Sequence, residues 1–472
     1  MKHELTAEPE LEAIADTWKM PECDVPNASN GAPPIHLEPR TTDRGIVAEL
    51  SDLIRGNDYF AQDAGRRLCR FRGGVYIADA EEHVRRRVLA LLRELRAEKR
   101  FSRNLCAEVS EHIRIQAPAL WDRPPMETLN CANGLLDLAT RELRPHDPKH
   151  LSAVQIPVSF NPTATCGAWQ AFIDATFPPD ATALGYEIPA LLMVPHMSLQ
   201  KAILALGAGG NGKSIYLSAT TGFIGRSNCA AISLHSLESD RFAAARLMGK
   251  LVNICPDLPS AYLESTSVFK ATVGGDRIPA EYKFRDGFDF EPFARLLFSA
   301  NHPPKSADNS EGFFRRWVVV PFERTFSPDR AGYVPRDLLL SRLTAPAELS
   351  GVLNRALEAL PRVLGYGFTD AESIRQAAED FRAATDHFSV WLELSTMNHP
   401  AAWIPMATLA ATYNAACEQA GRPPMNRTAF GRALKRARSE VRDSRRMIDG
   451  KQVLGYQGIG LRQDQQSSEA IQ

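Results

Sequence analysis

A chain of 472 residues, 44% hydrophobic and 24% charged, has room for about three domains with ordinary globular cores. Its formal net charge of -1 excludes a protein that coats nucleic acid over its whole surface, so such contacts have to come from local basic patches. Eight cysteines with no CxxC pair argue against a disulfide framework or zinc module; with an acidic N-terminal stretch and no apolar run near the ~18 residues of a bilayer span, a cytoplasmic protein off the membrane is expected.

Residues 1–44 mix acids with six prolines and are expected to be a disordered tail. The pattern Asp79-x-x-Glu82 then precedes Val84, Val88, Leu91, Leu92 and Leu95, which predicts a capped helix with one apolar stripe. Five arginines, Arg85, Arg86, Arg87, Arg93 and Arg96, are interleaved with that stripe and suit a solvated face as well as a DNA-facing one. Short strand pieces around Asn133-Gly134, His146 and Phe160-Asn161 indicate a mixed α+β region. His146 and His150 lack partners at ligand spacing and read as surface histidines.

Residues 201–225 carry the strongest signal. An apolar run, Ala202 to Leu206, leads into GAGGNGKS at 207–214 and then a helical pattern, which fits the phosphate-binding loop GxxxxGK[ST]. Gly207, Gly209, Gly210, Asn211 and Gly212 let the backbone aim its N–H groups into an anion nest, and the helix through Ile215 adds its dipole. Lys213 then reaches the β/γ-phosphates of ATP, and the Ser214 hydroxyl holds Mg²⁺.

Downstream, Leu251 to Cys255 is a buried-strand candidate leading to Asp257, either a Mg²⁺-shell acid or a turn residue. Asp286-Gly287 between alternating residues signals a hairpin, with Lys283 and Arg285 on one face near the turn, where they grip a phosphate backbone or meet water. Two more buried runs follow, one ending at Asn301 and one beginning at Trp317 behind Arg315-Arg316. Asn301 is a site amide or a turn start, and the arginines are site cations or ion-pair partners. Strands alternating with helical stretches predict a parallel sheet with its site at the carboxyl ends.

Residues 331–385 read as a helical connector or lid. Over residues 386–462 a helix at 406–419 is followed by a basic helix in which Phe430 and Leu434 face a core, then a hairpin at Asp449-Gly450. Helix, helix and hairpin predict a winged helix, with Arg427, Arg432, Lys435, Arg438 and Lys451 toward duplex DNA; a protein-docking winged helix is the alternative. Residues 463–472 are expected to be a disordered tail.

The phosphate loop, Asp257, the block from Lys270 to Lys283, and Asn301, in that order within about a hundred residues, resemble the superfamily 3 helicases of the phage and plasmid primase-helicase family, related to the poxviral replicative NTPase. The resemblance implies an α/β protein. It implies that residues 45–185 form an N-terminal α+β helicase-associated domain, residues 186–330 an AAA+-like ATPase core with a parallel sheet, and residues 386–462 the winged helix. It also implies an ATP- and Mg²⁺-dependent homo-hexamer that moves along single-stranded DNA and acts on forked DNA. By the same resemblance Asn301 senses the γ-phosphate, Arg315 or Arg316 is the arginine finger, and Lys283 and Arg285 belong to a channel hairpin. Leu258 stands where a second acid is expected, so the resemblance leaves the water-orienting group open. No primase domain is evident, which leaves priming to a separate primase or polymerase. The alternative function is an ATP-dependent origin-binding or replisome-loading factor that does not unwind processively.

Overall fold

The computed structural model describes residues 43–259, 263–283, 286–306, 308–329, 333–420 and 422–462. The expected tails at 1–44 and 463–472 thus fall outside the described residues, apart from 43 and 44. The chain divides into two compact units, one made of residues up to 120 with 147–151, the other of 121–146 and everything from 152 onward.

In the first unit, helices Asp43–Arg55, Ala80–Glu94 and Arg103–Gln116 bury one apolar stripe each, with Ile46, Leu50, Val84, Val88, Val109 and Ile113 in a common core beside a three-stranded antiparallel sheet. The predicted stripe is correct, but the capping box is not formed. Asp79 sits at the N-cap without a side-chain cap bond; its Oδ2 accepts from Arg70 Nη2 at 2.9 Å, and its Oδ1 is buried without a partner. Arg85 and Arg86 pair with Glu82, and Arg93 pairs with Glu98, so these arginines belong to a solvated face.

The second unit is organised by a five-stranded parallel sheet, labelled here β1 (Ala202–Leu206), β2 (Cys229–Ala230), β3 (Val252–Cys255), β4 (Arg295–Ala300) and β5 (Trp317–Pro321), in the order β5-β1-β4-β3-β2. Period-two alternation builds both of its faces. Ile203, Ala205, Leu297, Val318 and Val320 enter one core with helices Gly167–Thr176, Leu184–Leu192, Lys213–Ile224 and Pro346–Tyr366. Leu204, Leu296, Phe298, Trp317 and Val319 enter the other, against Phe269 and Val273 of helix Ser267–Gly274 and Phe381 of helix Glu372–Thr385. The strand pieces read around Asn133 and Phe160 meet here through reciprocal bonds, Asn133 Nδ2 to Phe160 O at 3.0 Å and Phe160 N to Asn133 Oδ1 at 2.9 Å.

Beyond the sheet lie helices His387–Ser395, Met406–Gln419 and Arg427–Ala437 and a three-stranded antiparallel sheet of Thr396–Pro405, Arg442–Ile448 and Lys451–Leu461. Phe430 and Leu434 are fully buried, as their spacing predicts. The strand Thr396–Pro405 was not legible; its exposed middle carries no period-two signal. Among the described residues no helix is long and apolar enough to cross a membrane.

Helix Pro346–Tyr366 packs too closely for a side chain at Gly351, where a Cβ would lie 2.2 Å from the Thr165 backbone. Gly351→Ala should therefore lower stability by about 1–3 kcal/mol. Gly365→Ala in the same helix meets nothing within 4 Å and should raise stability by up to ~1 kcal/mol. Denaturant unfolding of the two variants checks the contrast.

Candidate nucleotide site and nucleic-acid surfaces

Three of the residues singled out in the sequence converge at the carboxyl edge of the parallel sheet. β1 and β4 end side by side, with Leu206 paired to Ala300, and β4 runs next to β3, with Phe298 paired to Cys255. The phosphate-type loop leaves β1, Asn301 follows β4, and Asp257 lies just past β3. Gly207 N donates to Ala300 O at 3.2 Å, which fixes the loop's first residue against the end of β4.

The glycines are required by close approach as well as by torsion. A Cβ on Gly207 would lie 2.2 Å from Phe322 O, and Gly212 caps the following helix in the left-handed region, φ 91°, with Thr176 against it. Asn211 is buried and donates through Nδ2 to Phe322 O at 2.7 Å. Phe326 N donates to Gly210 O at 2.8 Å, so the chain leaving β5 braces the loop from its far side. Sequence reasoning missed this brace because it is made by backbone groups, which leave no residue-type signal.

Lys213 Nζ donates to Gly207 O at 2.5 Å, Ala208 O at 2.8 Å, Asn211 Oδ1 at 3.0 Å and Asn301 Oδ1 at 3.3 Å. Four oxygens converge on one ammonium that has three protons to give. Burial lowers its pKa, and the negative charge of Asp257 partly offsets that. Ser214 is exposed in the first turn of the helix, with Ile215 half-buried behind it.

Asp257 is exposed two residues beyond β3, not at the strand's end, and adopts φ 62°. An aspartate tolerates the left-handed region better than most residues, and the conformation is held from below. Ser299 Oγ accepts from Asp257 N at 3.2 Å and Ser299 O from Leu258 N at 2.7 Å.

Arg315 and Arg316 stand at the opposite end, just before β5, where Arg316 O accepts from Ala202 N at 2.7 Å and Arg315 O from Lys201 Nζ at 2.5 Å. They differ sharply. Arg316 is half-buried, bonded through Nη1 to Gly312 O, and its Nε has no partner; Arg315 presents an exposed side chain.

The predicted hairpin exists, but its loop is longer than the Asp-Gly turn implied. Ile278–Ala280 pairs with Phe288–Phe290, leaving 281–287 as the connection. Lys283 is therefore an exposed loop residue, not a strand residue, and Arg285 lies outside the described residues.

In the C-terminal part the two-residue turn is confirmed, with Ile448 paired to Lys451 and both Asp449 and Gly450 at positive φ, 47° and 74°. Arg427, Arg432 and Lys451 are exposed. Lys435 donates to Asp443 Oδ2 at 2.6 Å, and Arg438, at the helix C-cap, is half-buried with Nε enclosed, so it is less available than its spacing suggested. His146 also differs from the surface reading, since its Nε2 bonds Cys131 O at 2.9 Å, and His150 is buried. Among the described residues no three or more His, Cys, Asp or Glu side chains group as a metal site.

Residues 51–178 match the family model described as D5 N terminal like. That match supports a primase-helicase-like family. Residues 205–316, spanning the loop, Asp257, Asn301 and Arg315-Arg316, match a family of unknown function, DUF5906. Among solved structures the chain is similar to an A form apo structure of the NrS-1 C terminal region, 12% identical over 86% of this chain and 97% of that one, TM-score 0.46. A second apo structure of that region is 13% identical over 87% and 98%, TM-score 0.45.

Because Asn211 both holds Phe322 O and receives Lys213 Nζ, Asn211→Ala leaves two buried groups short of a partner and should cost about 1–3 kcal/mol. Denaturant titration without nucleotide checks this; an unchanged midpoint would show that the loop does not depend on the amide.

Proposed function

We propose that this chain is an ATP-dependent DNA helicase of phage or plasmid replication, built as a superfamily 3, AAA+-like ring. The observation that carries the proposal is the contact of Lys213 Nζ with Asn301 Oδ1 at 3.3 Å, with the Asp257 charge acting on the same ammonium, at one carboxyl edge of the parallel sheet. A lysine, an acid and an amide there suit a triphosphate: the loop's N–H groups cradle it, Lys213 turns from the Gly207 and Ala208 carbonyls onto its β/γ oxygens, and Asn301 contacts the γ-phosphate. Asp257 is the acid placed to orient the attacking water, whose oxygen bonds to the γ-phosphorus as the bond to the ADP oxygen breaks. An exposed Ser214 hydroxyl and the single exposed Asp257 carboxylate fit Mg²⁺, which keeps several waters and takes its remaining ligands from phosphates. When bound, the ion neutralises charge on the phosphate oxygens.

The arginine geometry supports a shared site. β5 separates Arg315 from the loop edge by five residues, about 16 Å at ~3.3 Å per residue. That is beyond an arginine's reach to its own phosphates, so its target is the site of a neighbouring copy. We assign the finger to exposed Arg315, with Arg316 supporting the turn that carries it. Head-to-tail contacts of this kind close into a ring, in keeping with a homo-hexamer. Lys283, in the loop that follows Ala280, and Arg285 are proposed to face single-stranded DNA, and Arg427, Arg432, Lys435, Arg438 and Lys451 to face duplex.

Lys213→Ala is expected to abolish ATP hydrolysis and forked-duplex unwinding while leaving the fold intact. Retained turnover in the purified variant would remove the loop as the active site. Arg315→Ala should lose roughly 10³-fold or more in turnover and regain part of it when mixed with Lys213→Ala subunits, because each copy lends what the other lacks. Steady-state hydrolysis in mixed assemblies reads this out; full activity of Arg315→Ala as a dilute monomer rules out a shared site.

A further inference from the structure

The C-terminal hairpin extends past the helix it packs on. Its register, Asp443↔Tyr456, Arg445↔Leu454 and Met447↔Gln452, puts Asp443, Arg445, Met447, Leu454 and Tyr456 on one face. At the base of that face Tyr456 is buried beside Phe430, 6.4 Å between ring centres, and Asp443 pairs with Lys435, both partners belonging to helix Arg427–Ala437. Toward the tip the face is open: Met447 is 67% exposed and Leu454 41%. The tight Asp449-Gly450 turn makes this a stiff ribbon end, not a loop.

Exposed cations occupy both faces of the ribbon: Arg445 shares the face of Met447 and Leu454, and Arg442, Arg446 and Lys451 lie on the other. Arg442, Arg445, Arg446 and Lys451 all lie on this hairpin, and Arg446 is steadied over the Trp403 ring, 5.3 Å from its centre, and by Gln457 Oε1 at 3.0 Å. Of the acids on this hairpin, Asp443 is engaged by Lys435, and Asp449 is exposed in the turn beside Lys451. An apolar tip on a ribbon that carries cations on both faces complements a polyanion that has apolar surface between its charged strands, which describes a nucleic-acid duplex.

We propose that this tip is a wedge, in which Met447 and Leu454 replace the stacking neighbour of the terminal base pair where double-stranded DNA meets single strands, while Arg445 and Lys451 hold the flanking phosphates. The inference rests on the duplex-binding reading of the C-terminal part. The junction is chosen by stacking: opening an internal pair breaks contacts on both faces, whereas a terminal pair already has one face in water.

The test uses the full chain without nucleotide and a forked duplex carrying 2-aminopurine at the first paired position or in mid-duplex. Fluorescence should rise about twofold or more at the junction and stay flat in mid-duplex. Met447→Ser with Leu454→Ser should lose the rise while anisotropy still reports fork binding; both side chains are exposed, so an unchanged melting temperature verifies the fold. Arg445→Ala with Lys451→Ala should bind more weakly and with a shallower salt dependence. An equal rise in the serine variant overturns the wedge and leaves duplex binding standing, the result expected if the patch docks a protein. Failure of the unaltered chain to bind continuous duplex even at low salt removes the C-terminal DNA reading and the wedge with it.

Discussion

One buried lysine joins the end of β1 to the end of β4. Lys213 Nζ is held by the loop's own carbonyls, by Asn211 and by Asn301, and Asn211 in turn is held by the Phe322 carbonyl past β5. Strands far apart in sequence therefore meet through a side chain that cannot be buried without such oxygens. Glycine is obligatory at 207 for the same reason, since a Cβ there would strike the carbonyl that Asn211 needs.

The segment leaving β4 extends this arrangement outward. After Asn301 it reaches Asp308, whose burial raises its pKa, but Lys270, Ser310 and Thr266 more than offset this and hold the carboxyl well below the usual range. Thr266 is the N-cap of helix Ser267–Gly274 and Lys270 lies within it, and the helix leads into the 278–290 hairpin, so Asp308 ties that helix to the segment that follows Asn301. On the other side, Lys305 donates to Ala420 O at 3.1 Å and Asn309 Nδ2 to Asp386 Oδ1 at 2.6 Å, which attaches the same segment to the C-terminal helices. Hydrogen bonds thus tie the segment after Asn301 both to the helix that precedes the 278–290 hairpin and to the C-terminal helices.

Where a local pattern carried the physics, the sequence was readable. Unbroken apolar runs marked four of the five strands of the parallel sheet, with Cys229–Ala230 too short to show, the glycine spacing marked the loop, and Asp449-Gly450 marked a turn that only left-handed residues close. Competition between partners defeated the rest. Asp79 had the pattern of a cap but turns its Oδ2 to Arg70, a residue whose proximity only the tertiary fold determines. Asp286-Gly287 looked like a two-residue turn, yet pairing stops at Ala280 and Phe288, and Lys283 falls in a longer loop. Arg315 and Arg316 were indistinguishable as neighbours in sequence; burial separates them.

The most direct measurement of the central claim is strand displacement from a forked duplex by the purified chain, followed alongside ATP turnover. The account predicts displacement that requires hydrolysable ATP and a turnover rate stimulated by single-stranded DNA. ATP turnover indifferent to DNA, with the fork left intact, would contradict it.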